Sequence, residues 1–378
     1  MATPRLAFGS VWRKLHLWLG IGLAVLIVPI AISGSILVWR DGLDVLLNPG
    51  RYAVSAGAQP PSVYMAAAAE SAGSAFQPFV VRFPDSGPVS VMLRASAPRE
   101  RPAERGVRPR LLTIYLDPAT ANVVDMADFR SSFLGFLHRF HENLTVPEYS
   151  GRDIVGWVGV AMVTMSLTGI YLWWPRGGAW NSVLRWRRGP GTASNLHHLL
   201  GFAIALPLAL VSSTGIYLGF PQQGRTMLSS VAAMTPPARG GFAAPMRTRQ
   251  QTIDQVSDIA RASVPDGRVA AIFLPAEATQ AWRVQMRRGD EPVTVTIDDR
   301  SGAANVVSSL AGDRVAAWLR GVHEGSRGGF VWQVLVFLCG ICPAVFVVTG
   351  MIIWLQRRSR RAAFKRMTAD MPQLGAAE

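Results

Sequence analysis

The sequence predicts an α+β membrane protein in which four transmembrane helices carry two small extracytoplasmic domains. Three observations support this fold class. The 378-residue chain is 49% hydrophobic and only 16% charged, whereas soluble domains carry about 25% charged residues. Its apolar residues form four long blocks, each near the roughly 20 residues that a helix needs to cross a bilayer. The order helix, domain, helix occurs twice along the chain.

The four apolar blocks run from Leu17 to Trp39, Ile154 to Trp174, Leu199 to Phe220 and Phe330 to Leu355. Tryptophan residues mark many of their ends, as expected for amphipathic rings at the lipid–water interface. The first block is longer than the roughly 7 to 15 apolar residues at the centre of a signal peptide. We therefore expect it to be retained as a transmembrane helix.

Basic residues give the chain a formal net charge of +14. They are concentrated before the first block, in the loop from Pro175 to Leu196 and in the tail after Leu355. Because basic flanks favour the cytoplasmic side, both termini and this loop are predicted to be cytoplasmic. The positive charge then orients the chain and contacts anionic lipid, so nucleic acid is not an expected partner.

The two halves of the chain have matching spacings. The interval from His16 to Gly34 equals the interval from His197 to Gly215. Between the helices, each half has a helix candidate, at 62–76 or 253–264, followed by strands with alternating or β-branched residues. One helix on a small antiparallel sheet is the simplest fold for each domain. We interpret the halves as parallel repeats related by an axis along the membrane normal.

This interpretation divides the chain into helices, domains and basic segments. The predicted boundaries are 10–40 for the first transmembrane helix, 41–135 for the first domain, 136–175 for a histidine segment with the second helix, 176–195 for a cytoplasmic loop, 196–220 for the third helix, 221–312 for the second domain, 313–356 for a histidine segment with the fourth helix, and 357–378 for the cytoplasmic tail.

All six histidines of the chain lie at the ends of the predicted helices, where ionisable residues are costly and tend to be functional. Those at the cytoplasmic ends are His16, His197 and His198, and those at the outer ends are His138, His141 and His323. Symmetry would pair His16 with His197 and His141 with His323. Facing imidazoles in a helix bundle are suitable axial ligands for haem iron, so we predict two b-type haems, one near each membrane face.

Two ligand choices stay open at this point. His138 precedes His141 by three residues and shares its helical face, so it is an alternative ligand. His198 points about 100° away from His197 on a helix of 3.6 residues per turn, which makes it a weaker alternative. An interfacial histidine can also be a simple polar anchor. Cys339 and Cys342 form a CxxC inside the fourth helix with no histidine after it, so they do not attach a c-type haem.

The sequence resembles the PepSY-associated transmembrane helix family over about residues 10 to 356. The resemblance is carried by the Leu15-His16 and Leu196-His197 helix starts, by the His141-Glu142 and His323-Glu324 pairs, and by the Thr-Gly that follows each pair inside the helix. The domains at 41–135 and 221–312 resemble PepSY domains. The resemblance implies a bacterial inner-membrane protein with its two domains in the periplasm.

Some members of that family are ferric-siderophore reductases with two haems. The resemblance therefore implies an iron-uptake oxidoreductase that passes electrons across the membrane to a periplasmic ferric chelate. His16 and His197 would hold one haem and His141 and His323 the other. No nicotinamide or flavin motif is recognisable, so a quinol or a separate reductase is the expected donor.

Other functions are compatible with the same residues. The principal alternative is a non-catalytic membrane protein whose PepSY-like domains bind a periplasmic peptide or protease. A transporter is less favoured, because no acidic residue interrupts the four apolar blocks. The arginine-rich segment with Arg99, Arg101, Arg105, Arg108 and Arg110 is more typical of a solvated loop than of a chelate site.

Overall fold

The structure, a computed structural model, describes most of the chain. The described residues are 4–96, 110–174, 191–236, 245–246, 248–277, 279–289 and 291–369. Most of the predicted cytoplasmic loop, the end of the tail and the arginines from Arg99 to Arg108 lie outside these ranges. The chain separates into a helical unit (1–39, 137–227 and 316–378) and a sheet unit (40–136 and 228–315).

Helices occur in both units. In chain order they are α1 (Pro4–Gly22), α2 (Ala24–Val38), α3 (Arg40–Leu47), α4 (Pro49–Tyr52), α5 (Pro61–Ala72), α6 (Phe133–Asn143), α7 (Gly151–Trp173), α8 (Thr192–Gly219), α9 (Pro221–Ser229), α10 (Ile253–Ser263), α11 (Ala311–Glu324) and α12 (Gly329–Ala369). A short 3₁₀ helix covers Pro147–Tyr149.

Among the described residues, three helices are long and apolar enough to cross a membrane, namely α7, α8 and the apolar part of α12. α1 and α2 provide a fourth span only if they are taken together, because they are bent by 69°. The first predicted transmembrane helix, 10–40, is therefore interrupted in the structure: regular helix stops at Gly22 and resumes at Ala24. Gly20 and Gly22 precede the break, and glycine weakens helix because it leaves the backbone unusually free.

The strands of the sheet unit form one antiparallel sheet. They are β1 (Phe76–Arg82), β2 (Val89–Ala95), β3 (Leu111–Leu116), β4 (Val123–Ala127), β5 (Arg268–Phe273), β6 (Ala281–Arg288), β7 (Glu291–Asp298) and β8 (Ala304–Val307). Their order across the sheet is β4-β3-β2-β1-β5-β6-β7-β8. The helix candidates of the sequence analysis correspond to α5 and α10.

The two predicted domains are thus not separate small folds. β1 pairs with β5 through Val80↔Phe273, Val81↔Ile272 and Arg82↔Ala271, which joins the two groups of four strands. The physical reason is that either group alone would leave β1 or β5 as an unpaired edge, and pairing them satisfies both sets of backbone groups.

One face of the sheet packs against α5 and α10. Along β6, Trp282, Val284 and Met286 are buried and alternate with exposed polar residues, as the two-residue period of a strand requires. The helices are also fixed to each other, because Asp254 at the start of α10 accepts hydrogen bonds from the Ser62 amide (2.9 Å) and hydroxyl (2.5 Å) at the start of α5. The opposite face is free of both helices.

Candidate cofactor site

The helical unit brings the histidines of different helices together in two pairs. His16 on α1 lies against His197 on α8, with ring centroids 6.4 Å apart and ring planes at 79°. His141 on α6 lies against His323 on α11, with centroids 6.0 Å apart and planes at 39°. We call these the first pair and the second pair.

In the first pair, each ring is held by a threonine hydroxyl. Nδ1 of His16 lies 2.9 Å from Oγ1 of Thr168, and Nδ1 of His197 lies 2.8 Å from Oγ1 of Thr349. Each hydroxyl donates its single proton to a carbonyl of its own helix, at 2.8 Å for Thr168 and 2.7 Å for Thr349. The threonine oxygens therefore accept from Nδ1–H of the histidines, which leaves Nε2 unprotonated.

In the second pair, each ring is held by a backbone carbonyl. Nδ1–H of His141 donates to the Ile30 oxygen at 2.8 Å, and Nδ1–H of His323 donates to the Val211 oxygen at 2.9 Å. A carbonyl oxygen can only accept, so the tautomer is again the one with a proton on Nδ1. All four imidazoles therefore present the same free Nε2 lone pair.

Glycines give these rings room. A Cβ added to Gly34 would lie 2.6 Å from Cε1 of His141, and one added to Gly215 would lie 2.9 Å from Cε1 of His323. Near the first pair the space is larger, with 3.5 Å from Gly169 to His16 and 3.6 Å from Gly350 to His197. Gly34 and Gly215 follow His16 and His197 at the same interval in the sequence. Each of these glycines therefore contacts one histidine of the second pair.

The rings of each pair are far enough apart to leave room for one metal ion between them. Imidazole nitrogens bind metals at about 2 Å, and the ring centre lies about 1.2 Å behind the nitrogen, so two imidazoles on opposite sides of one ion have centroids about 6.4 Å apart. The observed distances are 6.4 and 6.0 Å. A hydrogen bond from the second ring nitrogen is also the usual arrangement of a metal-bound histidine.

Burial keeps the second pair neutral. Desolvation, with the neighbouring His323 as a smaller cause, lowers the pKa of His141 to about 4. Desolvation also lowers the pKa of His323. Since only the neutral imidazole can donate its lone pair to a metal, these rings are ready to act as ligands at neutral pH.

The remaining two histidines each lie beside a residue of their own helix. Nε2 of His138 lies 3.9 Å from Oε2 of Glu142, one turn further along α6. The ring of His198 lies 6.5 Å from that of its neighbour His197, at 85°. The structure thus places His141 and His197, the preferred choices of the sequence analysis, in the two pairs.

Apolar packing surrounds the pairs. Cys339 and Cys342 are buried free cysteines that pack with Ile204 and Leu208, which fits a role in helix packing. Within the described residues, no cluster of three or more His, Cys, Asp or Glu side chains suits a metal ion. A metal held by either pair would therefore need further ligands from outside the protein, as a porphyrin supplies.

The sequence analysis did not identify the groups that hold Nδ1. Thr168 and Thr349 carried a signal, because each begins a Thr-Gly that follows a His-Glu pair in its half of the chain. The carbonyls of Ile30 and Val211 carried none, since every residue has a carbonyl.

Comparison with known proteins identifies the family to which the chain belongs. No curated protein matches the chain. The family model described as "PepSY-associated TM region" matches residues 13–357, which include both histidine pairs and all eight strands described above. Together with the apolar helices, this match indicates a multi-pass membrane protein. The chain belongs to the PepSY-associated TM region family.

Proposed function

We propose that this protein is a di-haem oxidoreductase of the bacterial inner membrane, which passes electrons across the membrane to a periplasmic ferric chelate. Its role would be that of a ferric-siderophore reductase in iron uptake. The observation that carries the proposal is the presence of two histidine pairs, each with a ring separation suited to one metal ion and each with Nδ1 already engaged.

The residues present fit a b-type haem at both pairs. His16 and His197 would hold one haem, and His141 and His323 the other. Gly34 and Gly215 allow the rings of His141 and His323 to approach α2 and α8 closely, and the apolar residues around the pairs are suited to a flat, largely apolar group. A haem with two imidazole ligands supplies one-electron transfer when bound.

The protein's own groups would tune these sites. The Nδ1–H bonds fix the tautomer and the orientation of each ring, and they raise the basicity of Nε2. Both roles need no rearrangement of the protein, because the four hydrogen bonds are already formed.

The two pairs lie at opposite ends of α8. His197 belongs to the first pair and Gly215 contacts His323 of the second pair, and the stretch of helix between these two residues rises about 27 Å. This distance is near the thickness of the hydrocarbon core of a bilayer. By the positive-inside rule, the first pair would lie on the cytoplasmic side and the second pair on the periplasmic side.

Matching contacts support the proposed repeat of helix, domain and helix. His16 and Thr168 are 152 residues apart in the chain, and so are His197 and Thr349. The second-pair histidines each have a hydroxyl at 3.4 Å from Nδ1, from Ser33 or Thr214. We infer that two PepSY-like halves form the sheet.

The electron donor would be a quinol or a separate reductase. A quinol gives two electrons and two protons, and therefore reduces two ferric ions to ferrous ions. Ferrous iron is a softer ion and is held less strongly by hard oxygen ligands, so reduction would release it from a chelate.

The test is the haem content of the purified full-length protein. We expect a Soret band, the reduced-state bands of b-type haem and two haems per chain. His16→Ala or His197→Ala should remove about one haem, and His141→Ala or His323→Ala the other, since each variant leaves one axial ligand. His138→Ala and His198→Ala are matched controls.

A colourless protein, expressed with ample haem, would end this proposal. That result would favour the alternative of a membrane protein that binds a periplasmic peptide or protease. If the purified protein contains haem but, after reduction with dithionite, does not reduce a ferric chelate, the proposed haem sites stand and the proposed reductase activity is refuted.

A further inference from the structure

The two helices that carry the second pair, α6 and α11, have matching outward sides. Phe136 lies five residues before His141, and Trp318 lies five residues before His323. At 100° per residue, each aromatic ring is about 140° around its helix from the histidine. The two aromatic residues are 47% and 48% exposed. Because the histidines of the pair face each other, these rings lie on the sides of α6 and α11 that point away from the pair.

The histidine ends of both helices lie at the depth of the transmembrane spans. Nδ1–H of His141 donates to the carbonyl of Ile30, nine residues before the end of the first apolar block. Nδ1–H of His323 donates to the carbonyl of Val211, nine residues before the end of the third. Nine residues of helix rise about 13 Å, which is within the roughly 15 Å half-thickness of the hydrocarbon core. Near the histidines, the outward sides of α6 and α11 are therefore at the level of lipid and not of bulk water.

Arg139 lies on the outward side of α6. It precedes His141 by two residues, which places it about 160° around the helix from that histidine and next to Phe136 of the preceding turn. Its Nη1 atom is buried and has no hydrogen-bond partner. A buried charged group without a partner is strongly unfavourable. This guanidinium therefore needs an anion that the described residues do not supply.

The second half of the chain places an arginine at the corresponding position by a different route. Gly321 precedes His323 by two residues, as Arg139 precedes His141. The side chain of Arg327 folds over this glycine: Nε of Arg327 lies 3.4 Å from a Cβ added to Gly321, and Cγ is closer still. Each half therefore has one arginine near one exposed aromatic ring, on the side of the helix opposite its histidine.

Neither arginine is neutralised by the protein. Arg320, which also belongs to α11, pairs with Glu324 at 3.6 Å. Within the described part of the chain, no carboxylate lies within ion-pair distance of Arg139 or Arg327. Both charges are thus available to an anion from outside the protein.

We propose that the outward sides of α6 and α11 each bind one anionic phospholipid, in the leaflet on the side of the second pair. Arg139 and Arg327 contact the phosphate groups, and the acyl chains lie along Phe136 and Trp318. The guanidinium fork matches a phosphate bidentately, and its long stem reaches the headgroup region from below. Aromatic rings are favoured at the same interfacial level. This inference goes beyond the proposed function, since it depends on the membrane and not on haem.

The geometry disfavours two other sources of negative charge. A ligand held between His141 and His323 lies on the opposite side of each helix from the arginines. A soluble acidic protein binds side chains that face water, whereas Arg139 and Gly321 are only two residues from histidines at hydrocarbon depth. A phospholipid has both the required charge and the required depth.

The experiment counts the phosphatidylglycerol molecules that the full-length protein retains in mild detergent, by native mass spectrometry. We expect Arg139→Gln or Arg327→Gln to retain one fewer than the wild type, and the double variant two fewer. Each site should prefer phosphatidylglycerol to phosphatidylcholine about fivefold, as expected for one basic residue near an anionic surface. Arg139→Lys keeps the charge, and Arg320→Gln removes an arginine that is already paired, so both should retain the wild-type number.

A second measurement does not depend on the stability of the arginine variants. A nitroxide is attached to Trp318→Cys in a chain whose Cys339 and Cys342 are replaced by alanine. It should collide more often with dissolved oxygen, which concentrates in lipid, than with a water-soluble nickel complex. The matched control is a label on Val63→Cys, at a position of α5 that is 40% exposed, and it should show the reverse order.

Three results would overturn the inference. They are an unchanged lipid count in the double variant, displacement of the lipid by excess inorganic phosphate, which would indicate a site for a small soluble anion, and a label at position 318 that collides mainly with the nickel complex. Haem content is measured separately. A colourless protein whose double variant loses two lipids keeps this inference and refutes the proposed function. A protein with two haems and an unchanged lipid count does the opposite.

Discussion

The two histidine pairs have the same chemistry but are held in different ways. In the first pair, Nδ1–H donates to the side chains of Thr168 and Thr349, and the nearby glycines leave ordinary van der Waals space. In the second pair, Nδ1–H donates to backbone carbonyls, and the rings lie directly against Gly34 and Gly215.

This difference has a mutational consequence. The first pair depends on two hydroxyls that a substitution can remove, and it tolerates small changes of volume. The second pair depends on backbone groups that no substitution removes, but it has no room for even one methyl group. The proposed cytoplasmic and periplasmic haem sites should therefore respond to opposite kinds of variant.

The largest effect is expected from adding a methyl group beside the second pair. Gly34→Ala or Gly215→Ala should reduce the haem content from two per chain to about one, since each Cβ would lie under 3 Å from a histidine ring and overpacking displaces side chains. Gly169→Ala and Gly350→Ala, beside the first pair, should keep both haems. Haem quantitation by pyridine haemochrome measures this. Equal loss in all four variants would show that the two pairs are not sterically different.

A smaller effect is expected from removing the hydroxyls of the first pair. Thr168→Val or Thr349→Val leaves an Nδ1–H without its partner, and loss of such a bond weakens metal affinity roughly 10- to 100-fold. We expect that loss at the first pair only, observed as faster transfer of one of the two haems to apomyoglobin. Ser33→Ala is the matched control, because its hydroxyl lies at 3.4 Å from His141 and the Ile30 carbonyl holds the ring without it. Equally fast haem loss from both pairs would contradict the expectation that these hydroxyls act at the first pair only.

The second pair should also keep its haem affinity at unusually low pH. The folded pKa of His141 is about 4, below the 6.5 or so of an unfolded histidine, so the folded ring stays neutral as the pH falls through 6.5. Between pH 6.5 and 4 the unfolded chain binds the extra proton, and the haem-free protein therefore loses stability as the pH decreases in this window. Haem titration of the His16→Ala protein at pH 7, 6 and 5 measures the affinity of the second pair. A loss centred near pH 6.5 would show that burial does not depress this pKa.

The smallest effect is expected at the two histidines outside the pairs. His138→Ala and His198→Ala should each keep two haems and change haem affinity less than about twofold, because the ring of His138 lies beside Glu142 of its own helix and that of His198 beside its neighbour His197. Loss of a haem in either variant would reassign a ligand.

The spans and the pairing of the histidines were predictable because their signals are local. An apolar run long enough to cross a bilayer is visible in any window of that length, and the equal spacings from His16 to Gly34 and from His197 to Gly215 relate the two halves directly. The break at Leu23 was not predictable, since Gly159 and Gly201 lie within α7 and α8 without interrupting them. Close packing does not distinguish Gly20 either, since an added Cβ would lie 3.1 Å from Met165 there and 3.0 Å from Ile216 at Gly159.

The joined sheet was not predictable for a different reason. Pairing of Val81 with Ile272 connects residues from opposite halves of the chain, and no local pattern records such a partner. Within the site, the role of the Ile30 and Val211 carbonyls could not be predicted from the sequence either. That role depends on how the helices pack and not on the identity of the two side chains.

The seam between β1 and β5 has a consequence for biosynthesis. When the first half of the chain has left the ribosome, β1 is an unpaired edge strand. It stays unpaired until β5, which contains Ile272, has been synthesised. Exposed edge strands of this kind can pair with strands of other chains. A protein truncated after residue 220 should therefore aggregate or be degraded. A nascent chain paused at this point would depend on chaperones to bind the β1 edge strand.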